Sequence, residues 1–131
     1  MTDEVNYPTL AEVYSFHELQ IERFGGAHGV RDAGLVESAF YGAQQTFDGV
    51  ELYPTIAEKA AALWHGFVCN HAFVDGNKRI GLMVVEVFLS INGFEFDYSY
   101  EEIRDITLEL ASSQLSRQDL VDQITDHIVP L

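Results

Sequence analysis

A histidine, an aspartate and a basic turn lie within nine residues of one another, in the segment HAFVDGNKR from 71 to 79. His71 has an ordinary pKa of ~6.5 and can take a proton from a hydroxyl group. Asp75 offers hard oxygen ligands, which suit a Mg²⁺ ion that bridges phosphate oxygens. A base, a metal ligand and neighbouring cations indicate transfer of a phosphoryl or nucleotidyl group to a hydroxyl.

The residues Gly76, Asn77, Lys78 and Arg79 open a long apolar run and predict an anion site. The first turn of a helix has unpaired backbone N–H groups and the positive end of the dipole. Gly76 lets a phosphate approach the backbone, and Asn77 can add a side-chain donor. Lys78 and Arg79 place cations where the dipole is already positive, which opposes helix stability, so a bound anion is the expected compensation.

Plainer structural roles compete with these assignments. His71 alone could end a helix and stabilise its C-terminal dipole, and Asp75 could serve only as an N-cap. Phe73 is expected to be a packing anchor of the turn. His65 and Cys69 have the i, i+4 spacing of metal ligands, but no second pair accompanies them, so we interpret them as packing residues.

The charge of the chain excludes several classes of partner. Its 131 residues include 21 Asp and Glu against 7 Lys and Arg, a net charge of −14. That field disfavours nucleic acid and anionic membranes, and fits either a basic partner or a high-salt host. No apolar run is long enough to span a membrane, and the acidic N-terminus argues against a secretory signal. We therefore expect a cytoplasmic protein with no internal disulfide, since Cys69 is the single cysteine.

Hydrophobic periodicity predicts an all-α single domain over residues 1–131, with about six helices around a central buried helix at about 77–92. Thr9, Asp32, Thr55 and Ser116 are the predicted N-caps. We expect one helix to end at His71 and the last helix to run over 116–131. The segment FEFDY at 94–98 could be a short strand, but it looks too isolated to form a sheet.

Two features upstream of the motif are predicted to be local structure. The glycine-rich segment GGAHGV at 25–30 contains His28 and is interpreted as a turn, with a flap beside the site as the alternative. Arg31 and Asp32 are interpreted as a helix cap and a surface pair.

The segment HAFVDGNKR resembles the signature of the Fic/Doc superfamily, and is most similar to its death-on-curing (Doc) branch. The Fic pattern H-x-F-x-[D/E]-G-N-G-R-x-x-R is matched at His71, Phe73, Asp75, Gly76, Asn77 and Arg79. Lys78 stands where Fic enzymes have glycine, and Leu82 replaces the second arginine. Both departures are features of the Doc pattern. The flanking segments GGAHGVRDAGLVESAF and IAEKAAALWHGFVCNHAF extend the resemblance over roughly residues 9–95.

The resemblance implies a role for each matching residue. His71 would be the base, Asp75 would hold Mg²⁺, Gly76, Asn77 and Lys78 would form the anion hole, and Arg79 would bind phosphate. Doc-like toxins transfer the γ-phosphate of ATP to a threonine of elongation factor Tu, whereas Fic enzymes transfer AMP. Family members commonly pair with a small Phd-type antitoxin.

Three functions therefore stay open. The first is a Doc-like kinase toxin, which the identity of Lys78 and Leu82 favours. The second is a Fic-type AMP transferase. The third is a weakly active member that acts mainly as an antitoxin-binding or co-repressor partner, because Cys69 stands where many relatives have a basic residue. Ala72 replaces a proline that is frequent after the histidine, and this change is expected to matter little.

Overall fold

The computed structural model describes residues 4–131 and confirms the mainly α-helical fold. Within them, six α-helices follow one another, with a 3-10 turn at Gly42–Gln44 and two pairs of very short strands. The helices are α1 (Leu10–Phe24), α2 (Ala33–Tyr41), α3 (Ile56–Cys69), α4 (Asn77–Ile91), α5 (Tyr100–Ala111) and α6 (Arg117–His127). The strands are β1 (Thr46–Phe47), β2 (Val50–Glu51), β3 (Phe94–Phe96) and β4 (Ile128–Pro130).

The predicted N-caps start the helices as expected. The side chains of Thr9, Asp32, Thr55 and Ser116 each accept a hydrogen bond from a backbone N–H of the first turn. Ser99 caps α5 in the same way. Each such bond satisfies one of the unpaired donors at a helix start, so these boundaries follow from local sequence alone.

Helices α3 and α4 pack against each other in the middle of the core. Ile80, Val84 and Phe88 of α4 are fully buried, as the prediction of a central helix requires. The contact is close near the motif, because a Cβ on Gly81 would lie 2.7 Å from Cγ2 of Val68. The N-terminus of α4 is therefore held firmly beside the C-terminal part of α3. That residues 1–131 form a single domain stays a prediction, which this one buried core supports.

The prediction for the C-terminal part of the chain was wrong in two respects. The last helix ends at His127, and residues 128–130 form β4 instead. Strand β4 pairs antiparallel with β3, so the segment at 94–96 is not isolated. Phe94 and Pro130 are opposite one another although the chain between them contains two helices. A pairing over that distance depends on how α5 and α6 pack, which local patterns do not record.

The segment between α2 and α3 forms a small hairpin from β1 and β2. Lys59 of α3 is 1% exposed, and its ammonium donates to Glu51 at 3.1 Å and to the carbonyl of Tyr53. A buried cation needs such partners, so Lys59 anchors the base of the hairpin. None of the helices in the described residues is long and apolar enough to cross a membrane.

Candidate active site

All six residues that the sequence pointed to line one cleft of about 260 Å³. The cleft lies between the C-terminal end of α3, the loop that follows it and the first turn of α4. Its lining residues are Val68, His71, Val74, Asp75, Gly76, Asn77, Lys78, Arg79 and Ala111. The base, the metal ligand and the anion-binding turn therefore face the same space.

His71 does not end a helix, contrary to the prediction. Helix α3 stops at Cys69 with Asn70 as its C-cap, and His71 follows in a left-handed conformation with φ of 52°. Arg31 holds this backbone: its Nε donates to the carbonyl of His71 at 2.5 Å and its Nη2 to that of Asn70 at 3.2 Å. A non-glycine residue at positive φ is strained, and such strain persists only where neighbours fix it. The exposed imidazole is thus presented from a rigid peptide.

Arg31 was expected to form a surface pair with Asp32, and that prediction was wrong. Only the capping role of Asp32 is confirmed. The backbone N–H groups of both residues also donate to the carbonyl of Ala72, at 2.9 and 3.0 Å. The residues just before α2 are therefore hydrogen-bonded to the main chain on both sides of His71.

The side chain of Asn77 bonds back to the main chain of Phe73 and so closes the loop between these two residues. Its Oδ1 accepts from the backbone N–H of Phe73 and its Nδ2 donates to the carbonyl of the same residue, both at 3.0 Å. Both polar ends of the side chain are thus engaged within the loop, and the amide carries a second N–H, so its predicted role as a donor to an anion stays a prediction. Phe73 is 1% exposed and is confirmed as the packing anchor.

Asp75 is not the N-cap of α4, because that position belongs to Gly76. Its carboxylate accepts from the backbone N–H of Ala27 at 3.1 Å and from that of Gly76 at 2.8 Å. These two hydrogen bonds, with smaller contributions from the charges of Arg79 and His17, hold the pKa of Asp75 below its usual value. The group is thus an exposed, firmly oriented carboxylate.

The start of α4 keeps its anion-binding donors free of side-chain caps. Gly76 is the N-cap with φ of 76°, and no side chain among the described residues bonds to the first turn there. The backbone N–H groups of Asn77, Lys78 and Arg79 have no partner within the helix at these positions. Together with the helix dipole and the exposed ammonium of Lys78, they form a site suited to phosphate.

Arg79 lines the cleft but is also tied to α1. Its guanidinium donates to the carbonyl of Gly25 at 3.1 Å and to that of Gln20 at 3.4 Å. It also lies 5.9 Å from the ring centroid of Phe24. Its predicted role in binding phosphate stays a prediction, with the guanidinium held at the cleft by the end of α1.

Sequence reasoning missed two contributors to this site. His17 is 3% exposed, and its Nε2 lies 2.7 Å from the carbonyl oxygen of Asp75. The available signal was that His17 falls between Val13 and Ile21 on the buried stripe of α1, an unusual place for a histidine. The second is Gly26 in the glycine-rich loop, where a Cβ would lie 2.5 Å from Oδ2 of Asp75. That loop is therefore a support of the motif and not only a turn.

The donor set at the cleft fits a metal that arrives with a nucleotide. Among the described residues, no group of three or more His, Cys, Asp or Glu could hold a metal ion by itself. Mg²⁺ is commonly bound by one or two carboxylates plus waters and substrate phosphates. Asp75 provides such a carboxylate, with a second lone pair left on each oxygen beside the N–H bonds.

Comparison with known proteins agrees with the motif. The sequence profile of the Fic/DOC family matches residues 7–89. "Toxin Doc" of Mycolicibacterium smegmatis (strain ATCC 700084 / mc(2)155) is 42% identical over 91 residues, which cover 68% of this chain and 70% of that protein. "Protein kinase doc" of Escherichia phage P1 is 29% identical over 113 residues, 86% and 88% of the two chains. The chain belongs to the Fic/Doc family and, within it, to the Doc branch.

Proposed function

We propose that this chain is a Doc-type toxin that transfers the γ-phosphate of ATP to a threonine hydroxyl of a translation factor such as elongation factor Tu, and thereby inhibits translation. The observation that carries the proposal is the cleft in which His71, Asp75 and the open N-terminus of α4 face one another. The names of the two relatives, a toxin and a protein kinase, support it. A translation factor is a cytoplasmic target, so the proposal includes a cytoplasmic location.

Each group at the cleft would have its own role in the reaction. His71 takes the proton of the threonine hydroxyl as the oxygen attacks the γ-phosphorus, and the bond from that phosphorus to the β–γ bridging oxygen breaks, releasing ADP. The N–H groups at the start of α4, with Lys78, stabilise the charge on the phosphoryl oxygens. Asp75 would hold a Mg²⁺ ion, which would supply positive charge against the phosphate oxygens.

Two side chains favour transfer of the γ-phosphate over transfer of AMP. Lys78 puts a bulky cation at the second position of α4, where a glycine would leave room for a further phosphate. Leu82, one turn later, lines a groove with Tyr100 and Leu108 and offers no charge to a phosphate. Transfer of AMP, by a nucleotide bound in the opposite sense, is the alternative.

One observation favours a weakly active protein whose main role is binding. Cys69 stands where many relatives carry a basic residue, and its thiol donates to the carbonyl of Leu110 at 3.6 Å. Burial raises the pKa of this thiol, so it adds no charge beside the cleft. In that reading the chain binds a Phd-type antitoxin and regulates its own operon. We propose a Phd-type antitoxin as partner in either case.

A paired label-transfer assay tests the proposal. The protein is incubated with Mg²⁺, purified elongation factor Tu and ATP labelled at the γ-phosphate or, in a second tube, at the α-phosphate. His71→Ala is the test variant. His127→Ala is its matched control, because His127 ends α6, beside β4, and does not line the cleft.

Label from the γ-phosphate alone, reduced by about 10²–10⁴-fold in His71→Ala and retained in His127→Ala, supports the kinase. Label from the α-phosphate alone supports the AMP transferase and overturns the argument from Lys78. Absence of label with both nucleotides, over a range of salt concentrations and with host lysate as the alternative target, supports the binding role. Full activity of His71→Ala contradicts the assignment of the base.

A further inference from the structure

Helix α1 reaches the candidate metal ligand through a buried histidine. The ring of His17 stacks on that of Phe73 with centroids 3.9 Å apart and 15° between the planes. Its Nε2 lies 2.7 Å from the carbonyl oxygen of Asp75. A carbonyl oxygen only accepts, so Nε2 carries the proton and donates.

We propose that His17 is a positioning residue for the metal ligand: it fixes the main chain of Asp75, while the amide of Ala27 fixes the carboxylate, in the orientation that meets a divalent cation. The proposal rests on the proposed function only through the role of Asp75 as a metal ligand. His17 itself does not line the cleft, and acts through Asp75.

Packing alone does not account for this histidine. Val13 and Ile21, one turn before and after it on α1, are apolar and buried, so a phenylalanine or leucine would continue the same stripe. Burial of an imidazole is costly unless its N–H is paired. What the imidazole adds over an apolar side chain is the donor to Asp75.

The peptide between Asp75 and Gly76 explains why that donor matters. Glycine adopts either sign of φ, so rotation of this peptide would meet little steric resistance. A rotated peptide would turn the carbonyl oxygen of Asp75 away from His17 and withdraw the Gly76 N–H from the carboxylate. The bond from His17 holds the carbonyl on the opposite side, against α1. Ile21 packs close to this glycine, since its Cδ1 lies 3.2 Å from the position that a Cβ on Gly76 would occupy.

The loop after α1 completes the support. Ala27 donates to Oδ2 of Asp75 at 3.1 Å. Gly26 has φ of 114°, and a Cβ there would lie 2.5 Å from the same oxygen. A side chain at position 26 would therefore displace the carboxylate, whereas the glycine lets the loop approach it.

The test uses Mn²⁺ with a non-hydrolysable ATP analogue, and measures bound Mn²⁺ by electron paramagnetic resonance. His17→Gln keeps an N–H donor at similar reach, and His17→Phe keeps a ring on Phe73 without the donor. Removal of an outer-shell partner commonly costs 10–100-fold in metal affinity. We expect His17→Phe to weaken Mn²⁺ binding by about tenfold or more, and His17→Gln to recover most of that loss. In an Asp75→Asn background, His17→Phe is expected to have no further effect.

A second pair of variants keeps the proposal testable if His17→Phe fails to fold. Gly26→Ala is expected to weaken Mn²⁺ binding by a similar factor. Gly25→Ala is the matched control: Gly25 also has positive φ, 83°, but its added Cβ would meet nothing within 4 Å. Both glycines have positive φ, so backbone strain enters both variants, and a larger loss in Gly26→Ala reports the displaced carboxylate.

The outcomes separate this proposal from the proposed function. Unchanged Mn²⁺ affinity in His17→Phe and Gly26→Ala, measured well below their melting temperatures, would overturn the positioning role. Unchanged affinity in Asp75→Asn would overturn it too, since the metal would bind elsewhere. The expected losses in a protein that transfers no label would uphold the positioning of Asp75 and contradict only the proposed kinase.

Discussion

Asn77→Ala should destabilise the protein because the side chain closes the loop that holds the site. The substitution removes two hydrogen bonds at 3.0 Å and leaves the N–H and carbonyl of Phe73 unpaired. Phe73 is 1% exposed, so water replaces those bonds poorly. A hydrogen bond contributes about 1 kcal/mol, and an unsatisfied buried group costs somewhat more, which gives a loss of about 2–3 kcal/mol.

For a chain of this length, each kcal/mol corresponds to roughly 4 °C in melting temperature, so the expected decrease is roughly 8–12 °C. Circular dichroism during heating, with a urea titration to obtain the free energy of unfolding, measures it. Asn77→Asp is the informative companion, because it keeps the acceptor for the Phe73 N–H and loses only the donor. We expect a smaller decrease for it, helped by a negative charge at the start of α4. A melting temperature within 2 °C of the wild type in Asn77→Ala, with weakened nucleotide binding, would refute the loop-closing role and favour the side chain as an anion donor.

Three further perturbations test the electrostatics of the chain. Lys78→Gly should lower transfer of the γ-phosphate and admit transfer of AMP, measured with the two labelled ATPs; wild-type behaviour with both labels would contradict the argument for nucleotide orientation. Asp75 has a pKa below its usual value when folded, so its contribution to stability is complete above the unfolded pKa of ~3.9 and is lost as the pH falls through the folded value. The difference in urea midpoint between wild type and Asp75→Asn should therefore shrink from pH 5 to lower pH, and a difference that grows there would contradict the direction of the shift. The net charge of −14 predicts that added NaCl raises the urea midpoint by screening repulsion, and a midpoint that falls steadily with salt would be the opposite result.

The fold class followed from local patterns. Helix starts at Thr9, Asp32, Thr55 and Ser116 depend on a cap and the next three residues, so a short window of sequence contains the whole interaction. The apolar periodicity of the run after Gly76 predicted the central helix to within one residue of its end. The pairing of β3 with β4 could not be predicted in this way, because it joins segments on either side of α5 and α6.

The reactive residues of the candidate site also lie within one short segment of the sequence. His71, Asp75 and the first turn of α4 are within nine residues, so a single turn of chain keeps them close to one another. The motif therefore predicted the family, which is confirmed, whereas the transfer of a phosphoryl or nucleotidyl group that the residue types indicate stays a prediction. What the side chains do in detail was harder to predict: the amide of Asn77 forms two hydrogen bonds with Phe73 and closes the loop.

The orientation of the site was decided by tertiary structure. Arg31 fixes the peptide of His71 from 40 residues upstream, Ala27 holds the carboxylate of Asp75 from 48 residues, and His17 holds its carbonyl from 58. Hydrogen bonds over such separations form only after α1 and α2 have packed against the core, and neither periodicity nor propensity encodes their geometry. The sequence by itself determined that His71, Asp75 and the start of α4 lie close together, since spacing along one short segment is enough for that. Their directions depended on distant backbone, which only the packed structure brings into contact.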